Sequence, residues 1–552
     1  MAERNRQLNR RLTRPDAWSL GALAIAAVVL APVVAVAVLA LAPAENIWPH
    51  LMATVLPRYL ATTLILMASV AAMTAVAGTA AAWAVTMYRF PGRGWLDVAL
   101  LFPLAIPAYV GAYALVDVTD YAGPLQTALR GAMGWTSARE YWFPETRNLG
   151  FAAVVLAAAL YPYVSLLARA AFREQSGGTY EVARALGAGP ARLFWRVGLP
   201  LARPAIAAGV ALVMMETVAD YGTVHHFGVQ TLTTGIFSVW LEGNNAGGAA
   251  QIAMVVLALV LLLVALERAG RRGARFHRPG RSTRPIDRTQ LTGVAGWAAT
   301  AVCLVPFALG FVLPVVVMGA HALRRPEVWL APGLGRALLN TLTVAGVAAA
   351  VTVAGALFLV YGLRLSGRAL PRRLLPLTML GYAAPGAVLA VGFLIPLAAL
   401  DQRVADGVLA LTGHDPGLLL TGTAAALVLA YAVRFFAVAQ GAVDSAFGRV
   451  PPTLPMAARS LGRRAGGVLS SVYMPLMRGS VAAALLVVFV DCVKELPATL
   501  LLRPFNYNTL ATRVFELASL ERLSEAAPAA LLVMAVGLAA VLVLARATHQ
   551  RS

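Results

Sequence analysis

Residues 60–86 read LATTLILMASVAAMTAVAGTAAAWAVT and contain no charged side chain. A helix that crosses the hydrocarbon core of a bilayer needs about 20 apolar residues. This run therefore predicts a membrane-spanning helix. The composition of the whole chain agrees, since 59% of its 552 residues are hydrophobic and only 13% are charged.

Similar apolar runs recur along the chain and predict an all-α membrane protein with about twelve transmembrane helices. The fifth and eleventh runs are short and carry acidic residues, so we expect them inside the helix bundle rather than against lipid. The predicted spans are residues 18–42, 60–86, 96–116, 149–167, 204–219, 249–266, 294–318, 338–363, 374–397, 418–435, 480–496 and 527–545.

The net charge of +20 indicates membrane orientation rather than nucleic-acid binding, because the basic residues lie in short loops between apolar runs. Placing the N-terminus in the cytoplasm brings the arginine-rich connections to the cytoplasmic side. Twelve spans then return the C-terminus to the same side. The loops in question contain Arg89 and Arg93, Arg184, Arg192 and Arg196, eight arginines between positions 268 and 288, and Arg364, Arg368, Arg372 and Arg373.

The two halves of the chain match each other. The segment RYLATTL at 58–64 corresponds to RALLNTL at 336–342, and ARALG at 183–187 corresponds to ARSLG at 458–462. Such a match predicts two parallel six-helix repeats, related by a pseudo-two-fold axis along the membrane normal, with the cargo path between them. The predicted organisation is a cytoplasmic tail (1–17), a first half (18–266), an arginine-rich linker (267–290) and a second half (291–546).

The linker is interpreted as a spacer and an orientation determinant, because it is rich in Arg, Gly, Pro and Ser. Binding of lipid headgroups or nucleic acid is the alternative for this segment. Cys303 and Cys492 lie in apolar runs without metal-ligand spacing and are interpreted as core residues. The adjacent His225 and His226 are interpreted as loop residues rather than a metal pair, and no tightly bound metal is expected.

A repeated motif follows the fourth span of each half, within the loops 172–203 and 443–479. In the first loop, EVARALG at 181–187 precedes VGLP at 197–200 by nine residues, and in the second, MAARSLG at 456–462 precedes VYMP at 472–475 by nine. A short helix ended by a glycine with positive φ makes a compact helix–turn–helix knob. The key positions are Glu181, Ala183, Gly187 and Pro200 in the first motif, and Met456, Ala458, Gly462 and Pro475 in the second.

This motif resembles the EAA signature of permeases in binding-protein-dependent ABC importers. The resemblance implies that each knob docks in a cleft of an ATP-binding subunit, supplied as a homodimer. A phosphate-binding P-loop needs a Gly-Lys-Ser/Thr sequence, and the only lysine is Lys494, between Val493 and Glu495. ATP and Mg²⁺ are therefore expected on the partner, with no cofactor and no catalytic residue in this chain. Met456 departs from the family Glu, which predicts asymmetric coupling.

The resemblance also implies a bacterial inner-membrane protein, in contact with membrane lipid, that receives cargo from a periplasmic binding protein. The stretches KELPATLLLRP at 494–504 and METVADYGTV at 215–224 look like fused permeases of ferric-iron importers. Similar permeases carry thiamine, polyamines, sulfate or molybdate. A secondary transporter, which also shows twelve spans in parallel halves, is the alternative from another class.

Acidic residues in the fifth and eleventh spans are candidates for the cargo path. Glu216 and Asp220 occupy the same repeat positions as Asp491 and Glu495, and the spacing of four places each pair on one helix face if the helix is continuous. Oxygen ligands such as these carboxylates and the Tyr221 phenol suit a hard cation. The alternative is a structural role, for example Lys494 paired with Asp491 or Glu495.

Overall fold

A computed structural model describes residues 17–272, 287–366, 378 and 384–549. Within these ranges the chain is almost entirely helical, with a single ladder of two short parallel strands, which confirms the all-α prediction. The arrangement as two parallel repeats stays a prediction. Most of the N-terminal tail and of the arginine-rich linker lies outside the described residues.

The helices are numbered here in chain order. They are α1 (Ala17–Leu41), α2 (Trp48–Ala53), α3 (Leu56–Met87), α4 (Arg93–Ala99), α5 (Ala108–Thr119), α6 (Pro124–Met133), α7 (Leu149–Glu174), α8 (Gly177–Ala185), α9 (Pro190–Leu193), α10 (Leu199–Ala219), α11 (Gly222–His226), α12 (Leu232–Phe237), α13 (Ala246–Arg272), α14 (Gly293–Phe307), α15 (Leu313–Arg324), α16 (Leu334–Ser366), α17 (Gly386–Thr412), α18 (Ala424–Arg434), α19 (Phe436–Gly448), α20 (Thr453–Ser460), α21 (Ala465–Val468), α22 (Met474–Val493), α23 (Pro497–Leu502), α24 (Leu510–Ser519) and α25 (Leu523–His549).

The strands are β1 (Tyr88–Arg89) and β2 (Thr289–Gln290), which pair in parallel. Short 3₁₀ helices cover Phe102–Ala105 and Pro326–Leu330. Among the described residues, four turns of π-helix follow directly on α-helices, and three of them lead without a break into the next helix. They are Phe194–Gly198, Ser238–Glu242, Ala308–Val312 and Leu469–Tyr473.

In the part of the chain that the structure describes, ten helices are long and apolar enough to cross a membrane. The number reaches twelve if each of two bent helix pairs counts as one span, in agreement with the predicted number. The ten are Leu20–Leu41, Leu56–Met87, Leu149–Glu174, Pro190–Ala219, Ala246–Ala269, Gly293–Arg324, Leu334–Leu365, Gly386–Thr412, Ala465–Val493 and Leu523–Val543.

Two predicted spans are broken rather than straight. Arg93–Ala105 and Ala108–Met133 meet at 96°, so the third predicted span is not a continuous helix. The cause is Pro107, because a proline disfavours helical geometry in the residue before it, and Ile106 is extended at φ −103° and ψ 125°. The tenth predicted span (418–435) is helical from Ala424, and at its last residue, Phe435, the chain bends by 50° into α19. Part of the ninth (374–397) lies outside the described residues.

The chain divides into two compact units that do not follow the sequence halves. Unit 1 contains residues 1–47, 239–257 and 335–509, and unit 2 contains 48–238, 258–334 and 510–552. Each unit therefore combines segments from both halves of the sequence. The boundaries predicted from the internal repeat stay a prediction about the sequence.

Small residues let three long helices of unit 2 approach closely. A Cβ atom added to Gly78 in α3 would lie 2.8 Å from the Val164 side chain of α7. One added to Gly209 in α10 would lie 2.9 Å from Cα of the same Val164. In a bilayer, close backbone contact through small residues is a main source of helix association, so α7 forms the centre of this unit.

A buried carboxylate attaches α4 to α7. Asp97 is only 7% exposed and accepts hydrogen bonds from Arg169 at 2.8 Å and Arg173 at 3.1 Å, which lie one helical turn apart on α7. A buried charge is tolerated only when it is paired, so the two arginines and the aspartate depend on each other.

We expect Asp97→Ala to lower the free energy of unfolding by about 3 kcal/mol, because it leaves Arg169 buried without its partner. Asp444→Ala is the matched control. The ion pair of Asp444 with Arg364 is exposed, and its loss should cost under about 1 kcal/mol. Denaturation midpoints in detergent micelles measure both changes, and equal midpoints for the two variants would contradict the assignment of Asp97 as an anchor.

Candidate functional site

The first motif folds as a helix–turn–helix, named here the first knob (residues 177–193). Helix α8 ends at Ala185, and the turn that follows it contains Gly187. This residue has φ +80°, a conformation that glycine adopts without strain. The backbone N–H groups of Leu186, Gly187 and Ala188 donate to the last carbonyls of α8. Pro190 then opens α9 at its first turn, where a missing N–H costs nothing.

The second motif forms the same turn, named here the second knob (residues 453–468). Gly462 also has φ +80°. The N–H groups of Leu461, Gly462 and Arg463 donate to the carbonyls of Ala457, Arg459 and Ala458, the same pattern shifted by 275 positions. The two motifs therefore have one backbone geometry despite the change from Glu181 to Met456.

The motif prolines do not end the second short helix. The chain continues through a π-helical turn into α10, and Pro200 lies in the first turn of that helix. The N–H of Leu199 bonds to the carbonyl of Phe194, five residues back, just before the proline that lacks an N–H. Pro475 follows an equivalent π-turn, in which Met474 bonds to Leu469.

Both knobs present large apolar side chains that are not buried by the chain itself. Val182 and Leu186 are 61% and 81% exposed in the first knob, and Met456 and Leu461 are 65% and 84% exposed in the second. Glu181 is exposed beside them. Exposed apolar residues concentrated at one short turn are typical of a binding surface for another protein.

An aromatic socket holds the first knob to the spans. Tyr180 of α8 packs in it against Trp83 of α3, which also contacts Phe172 and Phe194 edge-on. The Tyr180 hydroxyl donates to Oε1 of Gln175, and burial raises the pKa of this phenol, so it remains a donor.

Glycine is required at position 198 for the socket to close. A Cβ atom at Gly198 would lie 2.3 Å from the Trp83 ring. The Gly198 carbonyl also accepts a hydrogen bond from Gln175, at 3.2 Å. Motion of the first knob is therefore tied directly to α3, α7 and α10.

The second knob rests on a different set of aromatic residues. Tyr361 of α16 stacks on Phe447 and meets Tyr473 edge-on. Its hydroxyl donates to the carbonyl of Ala465, the first residue of α21, at 2.5 Å. Pro455 occupies the repeat position of Tyr180, so the second knob has no phenol of its own and is attached through the span instead.

The acidic pairs do not lie on continuous helix faces. Helix α10 ends at Ala219 and α22 ends at Val493, so Asp220 and Glu495 fall just beyond the helices that contain Glu216 and Asp491. The physical reason is that each second acid begins a new short helix, where free N–H groups need an acceptor. The prediction of a shared helix face is therefore wrong for both pairs.

Asp220 lies just before helix α11 and caps its first turn. Its carboxylate accepts from the N–H groups of Thr223 and Val224, at 3.0 and 3.1 Å, and from the Thr223 hydroxyl at 2.9 Å. Among the described residues these donors are all uncharged. Tyr221 follows and stacks on Phe237, with ring centroids 3.7 Å apart.

Glu495 lies just before helix α23 and caps it in the same way, but its charge is neutralised. It accepts from the N–H groups of Ala498 and Thr499, and it also forms an ion pair with Arg434 at 3.1 Å. The Glu495 side chain is 1% exposed and that of Arg434 is 14% exposed. Gly386 leaves the room for this pair, since a Cβ atom there would lie 1.9 Å from Nη1 of Arg434.

The remaining candidate residues take no part in these two caps. Lys494 pairs with Asp491 at 2.9 Å, one of the two partners considered from the sequence. Glu216 is half-buried on α10. His225 is exposed and His226 half-buried on α11, and within the described ranges no cluster of three or more His, Cys, Asp or Glu could hold a metal ion.

Sequence reasoning missed two groups of residues. Arg434 is a lone arginine in the predicted apolar span 418–435, and this was a usable signal, because charges at membrane depth almost always have a partner. His321 bonds to Asp117 at 3.1 Å and to Ser524 at 3.0 Å, and it joins α5, α15 and α25 in unit 2. No local pattern could reveal contacts between residues so far apart in sequence.

Many helices of membrane-spanning length and two exposed apolar knobs suit the membrane subunit of a transporter. Residues 74–275 match the family model described as the inner membrane component of binding-protein-dependent transport systems. The chain belongs to this family. It is therefore a multi-pass inner-membrane permease subunit of an ABC importer, a class that works with an ATPase and a substrate-binding protein.

Relatives of known function include both long and short permeases. An Fe(3+)-transport system permease protein of Haemophilus influenzae is 25% identical over 86% of this chain and 87% of its own length. A molybdenum transport permease of Escherichia coli is 27% identical over 34% of this chain and 86% of its own. A sulfate transport permease of the same species is 31% identical over 34% of this chain and 67% of its own.

We expect Gly386→Ala to lower the free energy of unfolding by about 3 kcal/mol, because the new methyl group displaces Arg434 and leaves Glu495 buried without its partner. Gly407→Ala is the matched control in the same helix. Nothing lies within 4 Å of the added atom there, so helix propensity should stabilise the protein by up to about 1 kcal/mol. Thermal denaturation of the purified protein compares the two, and a Gly386→Ala variant as stable as Gly407→Ala would refute the close contact.

Proposed function

We propose that the chain carries ferric iron across the bacterial inner membrane after delivery by a periplasmic binding protein. The single observation that supports this cargo most is the relative named for Fe(3+) transport, which aligns along 86% of the chain. That extent argues for one polypeptide that supplies both permease halves. The molybdenum relative, in contrast, aligns with 34% of the chain.

The proposed partner for the knobs is a dimer of one ATP-binding subunit, which carries ATP and Mg²⁺. Two knobs of the same backbone geometry suit two identical clefts, one on each copy of that subunit. The exposed Leu186 and Leu461 would enter apolar clefts, and Glu181 would add a polar contact that Met456 cannot make. Coupling would then be stronger at the first knob.

The proposed orientation places both termini and both knobs in the cytoplasm, as the distribution of arginine indicates. Binding of ATP would draw the two knobs together with the ATP-binding subunits, and hydrolysis would release them. The aromatic contacts of Trp83 and Tyr361 would pass this movement to α3 and α16.

The proposed cargo path contains Glu216, Asp220, Tyr221, Asp491, Lys494 and Glu495. The members differ in the charge that they offer to a cation. Glu495 and Asp491 are paired with Arg434 and Lys494, whereas Asp220 accepts only from uncharged donors among the described residues. The first half therefore supplies most of the negative charge for a hard cation.

An oxyanion is the second candidate cargo, since permeases named for molybdenum and sulfate align with about a third of the chain. Thiamine or a polyamine is a further alternative within the same class of permease. A secondary transporter remains the alternative from another class. It would need no ATP-binding subunit, and the two knobs would then have no partner.

We expect restoration of this gene to a deletion strain to restore energy-dependent uptake of radiolabelled ferric iron. Excess molybdate or sulfate should not compete, because four of the six proposed path residues are carboxylates. Excess thiamine, which is itself a cation, tests the remaining alternative in the same assay, and we expect no competition from it if ferric iron is the cargo. Uptake that stays absent for iron but appears for one of these solutes would remove the iron proposal and leave the importer class in place.

We expect Gly187→Asp combined with Gly462→Asp to abolish uptake while the protein remains in the membrane. Both glycines have φ +80°, where a side chain is strained, and the carboxylates add charge to the docking surface. Gly189→Asp adds a charge to the same knob without strain, since position 189 has φ −70° and open space around the added atom, so it separates the effect of charge from that of strain. Wild-type uptake by the double variant would contradict the docking role of the knobs.

A further inference from the structure

The end of the arginine-rich linker pairs with the turn that follows α3. Thr289 lies opposite Tyr88 and Gln290 lies opposite Arg89 in the parallel ladder of β1 and β2. The N–H of Leu291 also donates to the Arg89 carbonyl at 2.9 Å. The final residues of the linker are therefore attached to the protein rather than merely spanning a gap.

The same short segment contacts the first knob. Nη2 of Arg184, in the last turn of α8, donates to the Thr289 hydroxyl at 3.2 Å. Arg184 lies three residues before Gly187, so this bond reaches the end of the knob that carries its turn. Arg288 adds a weak bond to the Thr86 carbonyl, at 3.4 Å.

Helix α14, which follows the linker, is fixed to the same turn. The Thr300 hydroxyl donates to the Pro91 carbonyl at 2.8 Å. A Cβ atom at Gly296 would lie 3.0 Å from the Leu291 carbonyl oxygen, so the helix approaches the linker end closely. Cys303 is fully buried one turn further on and packs with Phe90 and its neighbours.

The second knob lacks the corresponding bond in the part of the chain that the structure describes. Arg459 occupies the repeat position of Arg184 and interacts electrostatically with the Tyr361 phenol. The described contact with the linker end belongs to the first knob, which also carries the family glutamate, Glu181.

We propose that residues 287–291 form a linker brace, which positions the first knob against α3 and α14. The inference rests on the proposed function of the knob. All the parts that it joins lie in unit 2, so the brace stays formed through the transport cycle and moves with the knob. A displacement of the first knob by the ATP-binding subunit then reaches α14 directly, as well as α3.

The test compares Leu291→Pro with Leu291→Ala in liposomes that contain the permease, its ATP-binding subunit and the cargo-loaded binding protein. Both variants lose the leucine side chain, but only proline removes the N–H that bonds to Arg89. We expect Leu291→Pro to transport about fivefold less cargo per ATP hydrolysed, the effect of one hydrogen bond of ordinary net strength. Binding of the ATP-binding subunit should equal that of Leu291→Ala.

Thr289→Ala and Thr289→Ser test the side-chain contact separately. Alanine should lower transport per ATP by about twofold, since an exposed bond contributes little, and serine should restore it because it keeps the hydroxyl. Equal transport per ATP in Leu291→Pro and Leu291→Ala would overturn the brace. Wild-type liposomes that transport without ATP or binding protein would overturn the proposed function itself.

A disulfide tests whether the brace is permanent. Arg89→Cys and Gln290→Cys place two thiols on paired positions of neighbouring strands, within the reach of a disulfide. Oxidation should join them, which either single variant cannot do, and transport should continue in the joined protein. Failure to form the bond would contradict the pairing, and transport that stops on oxidation and returns on reduction would contradict a permanent brace.

Discussion

Backbone groups inside a membrane must find partners within the protein, and this constraint determines how each break between helices is stabilised. When α10 ends at Ala219 and α22 ends at Val493, the first N–H groups of the next short helices need acceptors. Asp220 and Glu495 supply them. A carboxylate satisfies two or three donors at once, so an acid that seems costly at membrane depth is the means by which each break is stabilised.

The two breaks solve the same backbone problem with different net charge. Glu495 is balanced by Arg434, and the close packing at Gly386 holds that ion pair in place. Asp220 has only uncharged donors among the described residues. Within the described residues, therefore, only the second of the two caps is balanced by a cationic side chain.

Much of the fold could be predicted from the sequence, because span length and helix-ending glycines are local properties. The apolar runs predicted the number of helices long enough to cross a membrane, and the motif spacing predicted the turns at Gly187 and Gly462. The interruptions were harder, because they depend on single residues within uniform runs. Pro107 bends the third predicted span, and the caps at Asp220 and Glu495 end helices that their four-residue spacing had suggested were continuous.

The contacts that attach the knobs lay beyond prediction, since they join residues distant in sequence. Trp83 and Tyr361 occupy the same repeat position. The Trp83 ring packs against the Tyr180 phenol, whereas the Tyr361 hydroxyl donates a hydrogen bond to the Ala465 carbonyl. Equal turns are thus joined to the spans by unequal means. Because a knob can transmit force only through the groups that hold it, equal forces on the two knobs need not move their spans equally.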